Sequence, residues 1–314
     1  MNALPPQIRQ RTVAKARTLI EALPFMRAHQ GRTIVVKYGG AAMDLAAPAT
    51  KSGLAASFAE DIGLLQSAGI RPVVVHGGGP MVTKMSARLG IETRFVDGLR
   101  VTDAETLDVA TMVLAGKLST EVVGTLVAGG VNAVGLSGVD GRLLLAQKSS
   151  GPDLGFVGEV VHVRVDVLDT LLERGFVPVV ASIAVDEFGQ AYNVNADVVA
   201  AELSIALGAQ KLVYVNDVPG LIGPTGDLFS ELSAGQAVEL LTRGDVIEGG
   251  MIPKIESAVR AVQAGVERVH LVDGRVEHAV VLELFTPEGV GTMITPDGPP
   301  VVDHVPVPEG VPGP

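Results

Sequence analysis

The chain has 314 residues, 47% of them hydrophobic, with a formal net charge of −11 and no cysteine. This length can bury a sizeable core in one large domain or two lobes. The negative charge leaves no basic footprint for nucleic acid or an acidic membrane, and the missing cysteines exclude disulfides and thiol catalysis. No apolar run approaches the ~18 residues of a membrane-spanning helix, so we expect no membrane span and a cytoplasmic protein.

Residues 1–30 form the first predicted unit. The segment is basic and poor in acidic residues, as targeting peptides are. Its only acidic residue is Glu21, and its basic residues are Arg9, Arg11, Lys15, Arg17 and Arg27. Its apolar residues nevertheless repeat at helical spacing and stop at Pro24: Ile8, Val13, Ala16, Leu19, Ile20 and Leu23. The pattern predicts an amphipathic helix that binds a partner; a flexible tail and a targeting segment are the alternatives.

Apolar strands then alternate with helical patterns. The predicted strands are Thr33–Tyr38, Pro72–His76, Val131–Leu136, Val177–Ala181, Leu212–Val215, Arg268–Val272 and Val280–Phe285. The predicted helices are Lys51–Ser67, Pro80–Leu89, Asp103–Val127, Ala196–Leu207, Ala234–Thr242 and Lys254–Ala264. Repeated β-α-β order predicts an α/β fold, a three-layer αβα sandwich around a mainly parallel central sheet, with the N-terminal helix added to it.

Two segments depart from this alternation. Between residues 141 and 167, glycine turns separate short alternating stretches, which predicts hairpins at the rim of the sheet. The end of the chain, 297–314, is rich in proline and glycine without periodicity and predicts a flexible tail. We expect the remaining chain to divide into an acceptor-binding lobe, 31–185, and a nucleotide-binding lobe, 186–296.

Three separated pieces combine glycines with lysines. They are Lys37–Gly40 at the end of a predicted strand, Gly77–Pro80 at the end of another, and Gly249–Lys254 late in the chain. Glycines let backbone N–H groups approach an anion, and lysines neutralise a transferring phosphoryl group. Taken singly, Lys37 also fits a solvated residue at the rim of a sheet, and the glycines fit ordinary tight turns.

Polar residues elsewhere have ordinary interpretations as well. Asn195 fits the N-cap of the helix that follows it, with Asp197 as a first-turn acid. Arg100 fits a surface arginine. Lys254 is different, because a helix dipole disfavours a cation near the start of a helix, and a bound anion would account for the lysine there.

Familiar signatures fail. Gly77–Lys84 resembles a Walker loop, but Thr83 stands where that loop requires a glycine, and Met85 follows the lysine where the loop requires serine or threonine. A dinucleotide-binding fingerprint starting at Gly77 also fails, because Val82 stands at its third glycine. The six histidines show no spacing that would place two on one helical face for a metal site. The sequence contains no G-x-S-x-G motif, so it gives no nucleophile signature for a hydrolase.

Five motifs in order resemble the amino-acid kinases, and among them the arginine-sensitive N-acetyl-L-glutamate kinases. They are Lys37–Gly40, His76–Pro80, Leu99–Thr102, Asn193–Asp197 and Gly250–Lys254. The resemblance runs from about Gly31 to Thr295 and implies the amino-acid kinase fold.

The resemblance also implies site roles. Lys37 and Lys254 would stabilise the transferring phosphoryl group, with Asp197 holding both lysines. The acceptor would be bound by Gly77, Gly78, Arg100 and Asn193. The nucleotide would be bound by Gly39, Gly40, Asn216, Asp217, Val218, Pro219, Gly220, Leu221, Gly249 and Gly250; Asn216 stands where threonine is common. ATP would be a substrate, with Mg²⁺ carried by its phosphates and no metal site on the protein.

The implied reaction converts N-acetyl-L-glutamate and ATP to N-acetyl-γ-glutamyl phosphate and ADP, in arginine biosynthesis. Elementary chemistry agrees with it, because a carboxylate acceptor (pKa ~4.3) is already ionised at neutral pH and needs no general base. The planar fork of Arg100 suits a carboxylate, and Asn193 offers a donor and an acceptor to an N-acyl amide. The alternatives are a sibling kinase acting on carbamate, aspartate, aminoadipate derivatives or UMP, and a non-catalytic amino-acid-binding regulator.

The resemblance finally implies regulation and assembly. The region His270–Thr292 is similar to that of feedback-inhibited members, which places L-arginine at Glu283 and Gly289. The N-terminal helix implies a homo-hexamer built as a trimer of dimers, with the dimer as the fallback. The alternative for the C-terminal region is a core strand with one exposed glutamate and a glycine turn.

Overall fold

The N-terminal helix runs through the proline at which its apolar stripe was predicted to end. A computed structural model describes residues 6–39, 53–96, 98–244, 246–287 and 289–298, so Gly40 and most of the predicted tail lie outside the described residues. Helix α1 spans Pro6–His29 with Pro24 inside it, within the predicted unit of residues 1–30. Phe25 and Met26, in the turn after the proline, pack against the core, and this packing holds the last turn in place.

The strands and helices follow the predicted alternation. The strands are β1 (Thr33–Tyr38), β2 (Arg71–His76), β3 (Phe95–Val96), β4 (Leu99–Arg100), β5 (Ala133–Ser137), β6 (Leu144–Lys148), β7 (Gly158–Val163), β8 (Val177–Ala181), β9 (Ile183–Val185), β10 (Ala191–Asn193), β11 (Lys211–Asn216), β12 (Glu231–Ser233), β13 (Arg268–Asp273) and β14 (Thr292–Thr295). The helices after α1 are α2 (Leu54–Ser67), α3 (Gly79–Arg88), α4 (Ala104–Thr111), α5 (Ser119–Ala128), α6 (Asp166–Glu173), α7 (Ala196–Ala206), α8 (Ala234–Arg243), α9 (Met251–Gln263) and α10 (Ala279–Phe285).

The central sheet has the order β12-β14-β13-β11-β1-β2-β8-β5. Its neighbouring strands pair in parallel, except β13 with β14, which confirms the mainly parallel sheet. Alternate residues of β1 face opposite layers: Val35 packs with α7, and Val36 packs with α2 and α10. Both faces are therefore covered, and the predicted αβα sandwich is confirmed.

A second sheet lies at the rim. It has the order β10-β9-β6-β7, and β6 pairs with β7 antiparallel, which confirms the hairpins predicted between residues 141 and 167. In this way β10 brings Asn193 to the rim of the central sheet.

The segment predicted as a strand at Val280–Phe285 is helical, so that prediction is wrong. It belongs to α10, and Val280 and Leu284, four residues apart, are both buried in the core cluster. A short apolar run cannot be assigned to strand or helix by periodicity alone. The carboxylate of Asp61 accepts the N–H of Val280 at 3.1 Å and so satisfies a donor in the first turn of α10.

The predicted helix Asp103–Val127 contains a π-helical segment, Met112–Leu118, between α4 and α5. The stretch Ala104–Ala128 is long and apolar enough to cross a membrane, and an 18-residue window within it has a mean hydropathy of 1.3. Leu118 and Leu126, however, are buried inside the protein, 2% and 0% exposed. Packing in the protein core accounts for the apolar residues on this side.

Candidate active site

A cleft of about 230 Å³ opens where the carboxyl ends of parallel strands meet. In open α/β sheets this edge is where ligands bind. The cleft is lined by Lys37, Gly77, Gly78, Gly79, Val82, Phe95, Gly98, Leu99, Arg100, Leu114, Val157, Ser182, Asn193, Val194, Asn195, Ala196 and Asp197. The predicted acceptor-binding residues and two of the predicted catalytic residues therefore share one cavity.

Two buried lysines share one buried carboxylate at this edge. Lys37 Nζ lies 2.8 Å from Asp197 Oδ1, and Lys254 Nζ lies 2.9 Å from Asp197 Oδ2. Lys37 comes from β1, Asp197 from the first turn of α7 and Lys254 from the first turn of α9. All three are at most 8% exposed. Two cations and one anion leave a surplus positive charge beside the cleft.

Local sequence explains how the three charges reach each other. Asn195 caps α7 as predicted, because its Oδ1 accepts the N–H of Asp197 at 2.7 Å. Gly39 leaves room for the lysine side chain, since a Cβ at this position would collide with Lys37 Nζ. The Tyr214 hydroxyl donates to the Asp197 carbonyl at 3.1 Å, and the Tyr214 ring lies 5.0 Å from Lys254 Nζ.

The charges of these side chains alter one another's pKa values. Burial would raise the pKa of Asp197, but the positive charges of Lys37 and Lys254 outweigh it and lower that pKa to about 2. Burial and the nearby charge of Lys37 lower the pKa of Lys254 to about 8. Asp197 is consequently ionised at neutral pH, and Lys254 carries a charge that a bound anion would stabilise.

Arg100 is a buried cation with no carboxylate beside it in the described part of the chain. Its Nη2 donates to the Gly79 carbonyl and to Thr83 Oγ1, both at 2.8 Å, and its guanidinium lies 4.8 Å from the centre of the Phe95 ring. The other terminal nitrogen, Nη1, is buried and has no hydrogen-bond partner among the residues that the structure describes. Burial lowers the pKa of Arg100. The side chain is thus positioned by neutral groups and retains a donor for an anion.

Asn193 reaches the cleft from the end of β10. Its Nδ2 lies 3.3 Å from the hydroxyl of Thr102. Its backbone N–H donates to the carbonyl of Phe156 at 2.9 Å, which ties β10 to the segment before β7. The amide is therefore held at both the backbone and the side chain.

The second glycine turn needs a glycine at position 78. Gly78 has φ 159°, and a Cβ there would collide with Leu118 and lie 2.8 Å from Leu114 Cδ2. At Gly77 a Cβ would lie 3.4 Å from that of Ala196. The turn thus fits tightly between the helix Ala104–Ala128 and the start of α7.

The predicted nucleotide residues that the structure describes are not among those that line this cleft. Asn216, at the carboxyl end of β11, is buried and donates to the carbonyl of Tyr214 at 3.1 Å. Gly220 has φ 142°, and the next N–H, of Leu221, donates to Thr292 Oγ1 at 2.9 Å. Asp217, Val218 and Pro219 complete this loop, and Gly249 and Gly250 precede α9, with open space around both α-carbons. Gly40 is outside the described residues.

Glu283 is buried, not exposed as the strand alternative assumed. It is 9% exposed, and its Oε1 lies 2.7 Å from His270 Nδ1. Its Oε2 accepts the N–H groups of Val290 and Gly291 at 2.7 and 3.1 Å. Gly289 has φ 62° and lies against the same carboxylate. Both carboxylate oxygens are therefore already hydrogen-bonded.

Sequence reasoning missed three residues of the site. Phe95 stacks on Arg100, Tyr214 lies beneath Lys254, and Thr102 contacts Asn193. Thr102 stood inside a quoted motif, but its contact spans 91 positions of the chain and has no sequence signal. Among the described residues no group of three or more His, Cys, Asp or Glu is placed to hold a metal ion.

Comparison with known proteins gives a consistent result. The pattern of the amino acid kinase family matches residues 32–273. The acetylglutamate kinase of Acidothermus cellulolyticus is 52% identical over 296 residues, covering 90% of this chain and 97% of that protein. Among solved structures, N-acetylglutamate synthase from Neisseria gonorrhoeae with coenzyme A and N-acetyl-glutamate superposes with a TM-score of 0.79 at 28% identity. The match covers 90% of this chain and 64% of the synthase. The same synthase with coenzyme A and L-arginine gives 0.75 at 27%, with 89% and 65% covered.

Proposed function

The chain belongs to the amino acid kinase family, and on that premise we propose that it transfers the γ-phosphoryl group of ATP to the γ-carboxylate of N-acetyl-L-glutamate. The products are N-acetyl-γ-glutamyl phosphate and ADP, a step of arginine biosynthesis. The observation that supports this most is the surplus positive charge at the cleft, beside which two lysines share Asp197, while Arg100 has no carboxylate partner among the described residues.

The reaction brings a carboxylate anion to a phosphate anion, and the positive charges at the site reduce the repulsion between them. A γ-carboxylate oxygen bonds to the γ-phosphorus while the bond from that phosphorus to the β,γ-bridging oxygen breaks, and its electron pair leaves with ADP. Lys37 and Lys254 neutralise the phosphoryl oxygens, and Asp197 holds their ammonium groups in place. Mg²⁺ bound to the nucleotide phosphates reduces their charge. A carboxylate nucleophile needs no base, so no histidine is required.

The other end of the acceptor is recognised by neutral and cationic groups. Arg100 Nη1 pairs with the α-carboxylate and Asn193 bonds the acyl amide. Gly77 and Gly78 line the same cleft; the N–H of Gly77 already donates to the carbonyl of Tyr38 at 3.3 Å, so the backbone N–H offered there is that of Gly78. Val82 and Val157 give the cleft an apolar wall that suits an acetyl methyl group. Nucleotide binding is assigned to Gly39, Gly40, the loop 216–221, and Gly249 with Gly250, so the lobe 31–185 chiefly serves the acceptor and 186–296 the nucleotide.

A coupled ADP-release assay across acceptors tests the proposal. N-acetyl-L-glutamate should support turnover far better than carbamate, aspartate, an N-acylated aminoadipate or UMP. Lys148→Ala, an exposed lysine of β6, serves as the matched control for Lys37→Ala. Preference for another acceptor would make the chain a sibling kinase. Binding of N-acetyl-L-glutamate without any ADP release would make it a non-catalytic regulator.

We extend the proposal to inhibition by L-arginine at Glu283 and Gly289. Two observations support it: α1 packs against α10, which carries Glu283, and the structural neighbour at 27% identity was solved with L-arginine. Because the oxygens of Glu283 are already bonded, the guanidinium would have to replace the His270 contact. Arginine should inhibit the intact chain sigmoidally and inhibit Glu283→Ala less. If millimolar arginine leaves the intact chain untouched, this extension is wrong.

Assembly is the last part of the proposal. Five large apolar residues of α1 are exposed, and they suit the same helix of a second copy: Ile8, Val13, Leu19, Ile20 and Leu23. We propose a cytoplasmic homo-hexamer made as a trimer of dimers. Deleting residues 1–28 should leave an active, smaller oligomer, the dimer, that is less sensitive to arginine; an unchanged mass in light scattering would contradict this role of α1.

A further inference from the structure

One buried hydroxyl connects the two residues proposed to hold the acceptor. Thr102 follows β4 and is fully buried, with 0% exposure. Its Oγ1 lies 3.0 Å from the backbone carbonyl of Arg100 and 3.3 Å from the side-chain amide of Asn193. A single side chain thus contacts both recognition residues, which stand 93 positions apart in sequence.

The hydrogens at this hydroxyl can be counted. A threonine hydroxyl has one hydrogen to donate, and a carbonyl oxygen can only accept. The contact with the Arg100 carbonyl therefore uses the only hydrogen of Thr102. What remains on Oγ1 is a lone pair, and a lone pair attracts the NH₂ end of an asparagine amide and repels its oxygen.

Resting on the proposed function, we propose that Thr102 is a positioning residue that fixes the amide of Asn193 with Nδ2 toward itself and Oδ1 toward the acceptor. Among the described residues, Oδ1 has no hydrogen-bond partner, and Asn193 lines the cleft. The oriented oxygen accepts the N–H of an N-acyl amide. The enzyme thereby distinguishes the acyl amide from an ester of the same shape, whose bridging oxygen has no hydrogen to give.

The backbone around Thr102 makes the arrangement rigid. Its N–H donates to the Leu154 carbonyl at 2.8 Å, and its own carbonyl accepts the N–H of Phe156 at 2.6 Å. Gly155, with φ 72°, sits so close that a Cβ there would collide with the carbonyl oxygen of Thr102. Phe156 also accepts the N–H of Asn193, so hydroxyl and amide belong to one hydrogen-bonded frame.

The test compares Thr102→Val, which keeps the shape and loses the hydroxyl, with Thr102→Ser, which keeps the hydroxyl. Turnover is measured with N-acetyl-L-glutamate and with 2-acetoxyglutarate, the ester analogue. The intact enzyme should prefer the amide by about tenfold or more in kcat/KM. Thr102→Ser should keep that preference, and Thr102→Val should reduce it to about threefold or less, with the KM for ATP unchanged.

Two further measurements cover the other outcomes. If Thr102→Val does not fold, judged by circular dichroism, Thr102→Ala makes the same comparison. The side-chain ¹⁵N–H signals of Asn193, assigned by their loss in Asn193→Ala, need no acceptor: protection from exchange should be present in the intact chain and Thr102→Ser and absent without the hydroxyl. A preference that survives loss of the hydroxyl, or an amide whose exchange does not change, overturns the proposal. If the intact chain uses neither acceptor, the proposed function fails, and the exchange measurement still decides the role of Thr102.

Discussion

Asp197 and Glu283 are both buried carboxylates, yet their surroundings are opposite. Asp197 lies between two lysine ammonium groups at the mouth of a cleft, and their charges exceed its own. Glu283 lies between His270 and two backbone N–H groups, and burial together with Lys211 and Arg268 lowers the pKa of that histidine, partly offset by Glu283. The first cluster has a positive charge left over, whereas in the second the carboxylate accepts a bond at each oxygen.

The difference is between a cluster with cationic charge still available to an anion and one whose carboxylate oxygens are both already hydrogen-bonded. Burying charge is costly unless it is paired, so an excess charge near an open cleft indicates a missing partner. A phosphoryl group would supply that partner for Lys37 and Lys254. Glu283 instead joins β13, α10 and the loop before β14, and an arginine that binds there must compete with these bonds.

The largest expected effect comes from removing a lysine. Lys37→Ala and Lys254→Ala should each lower kcat by about 10²–10³, because each removes a charge that acts on the transferring group. Circular dichroism should show the folded state intact, and Lys148→Ala is the matched control. A folded variant that retains more than half of the activity would remove that lysine from the mechanism.

A smaller effect follows from changing the shape of one cation. Arg100→Lys keeps the charge but loses the planar fork, so the KM for N-acetyl-L-glutamate should rise about tenfold while the KM for ATP changes little. Steady-state kinetics with each substrate varied in turn measures both. The reverse pattern would place Arg100 on the nucleotide.

The next expected effect is a loss of activity at high pH, when Lys254 loses its charge. The pKa of Lys254 is lowered by burial and by Lys37 to about 8, so kcat/KM for ATP should fall above about pH 8 as this charge is lost. Stability moves the other way: between this value and 10.5 the unfolded chain binds more protons, so the contribution of Lys254 to the free energy of unfolding increases with pH. In Lys254→Arg the fall in activity should disappear; an intact enzyme with a flat profile to pH 9.5 would contradict the assignment.

The smallest effect on catalysis should come from a substitution at Glu283, which lies outside the cleft. Glu283→Ala leaves His270 and two buried N–H groups without their acceptor, so the free energy of unfolding should fall by about 2–4 kcal/mol. Activity without arginine should stay within about twofold, because the cleft is untouched. Urea denaturation and the ADP assay measure the two quantities, with the exposed Glu187→Ala as control. A large loss of kcat in a folded Glu283→Ala would contradict this expectation, because it would show that Glu283 contributes to catalysis.

Sequence patterns predicted what depends on neighbouring residues. The bounds of β1 and β8 and the cap by Asn195 were predicted correctly, since apolar runs and capping side chains are local signals. Predictions failed where distant contacts decide the outcome. Val280–Phe285 is a helix because it packs on the core and meets Asp61. Helix α1 continues past Pro24 because Phe25 and Met26 pack against the core.

The same limit applies to the site. Lys254 stood out because a cation at a helix start needs an anion, and Asp197 is an anion it meets, 57 positions away. The contacts of Thr102 with Asn193 and of His270 with Glu283 depend on how elements distant in sequence pack together, and neither residue type at those positions signals its partner.

The most direct measurement is ³¹P NMR of the intact enzyme with ATP and N-acetyl-L-glutamate. An acyl-phosphate signal should grow as the γ-phosphate signal of ATP declines, hydroxylamine should convert it to the hydroxamate, and Lys254→Ala should form it about 10²–10³ times more slowly. Release of inorganic phosphate and ADP with no acyl phosphate trapped at any time would contradict transfer to the acceptor carboxylate.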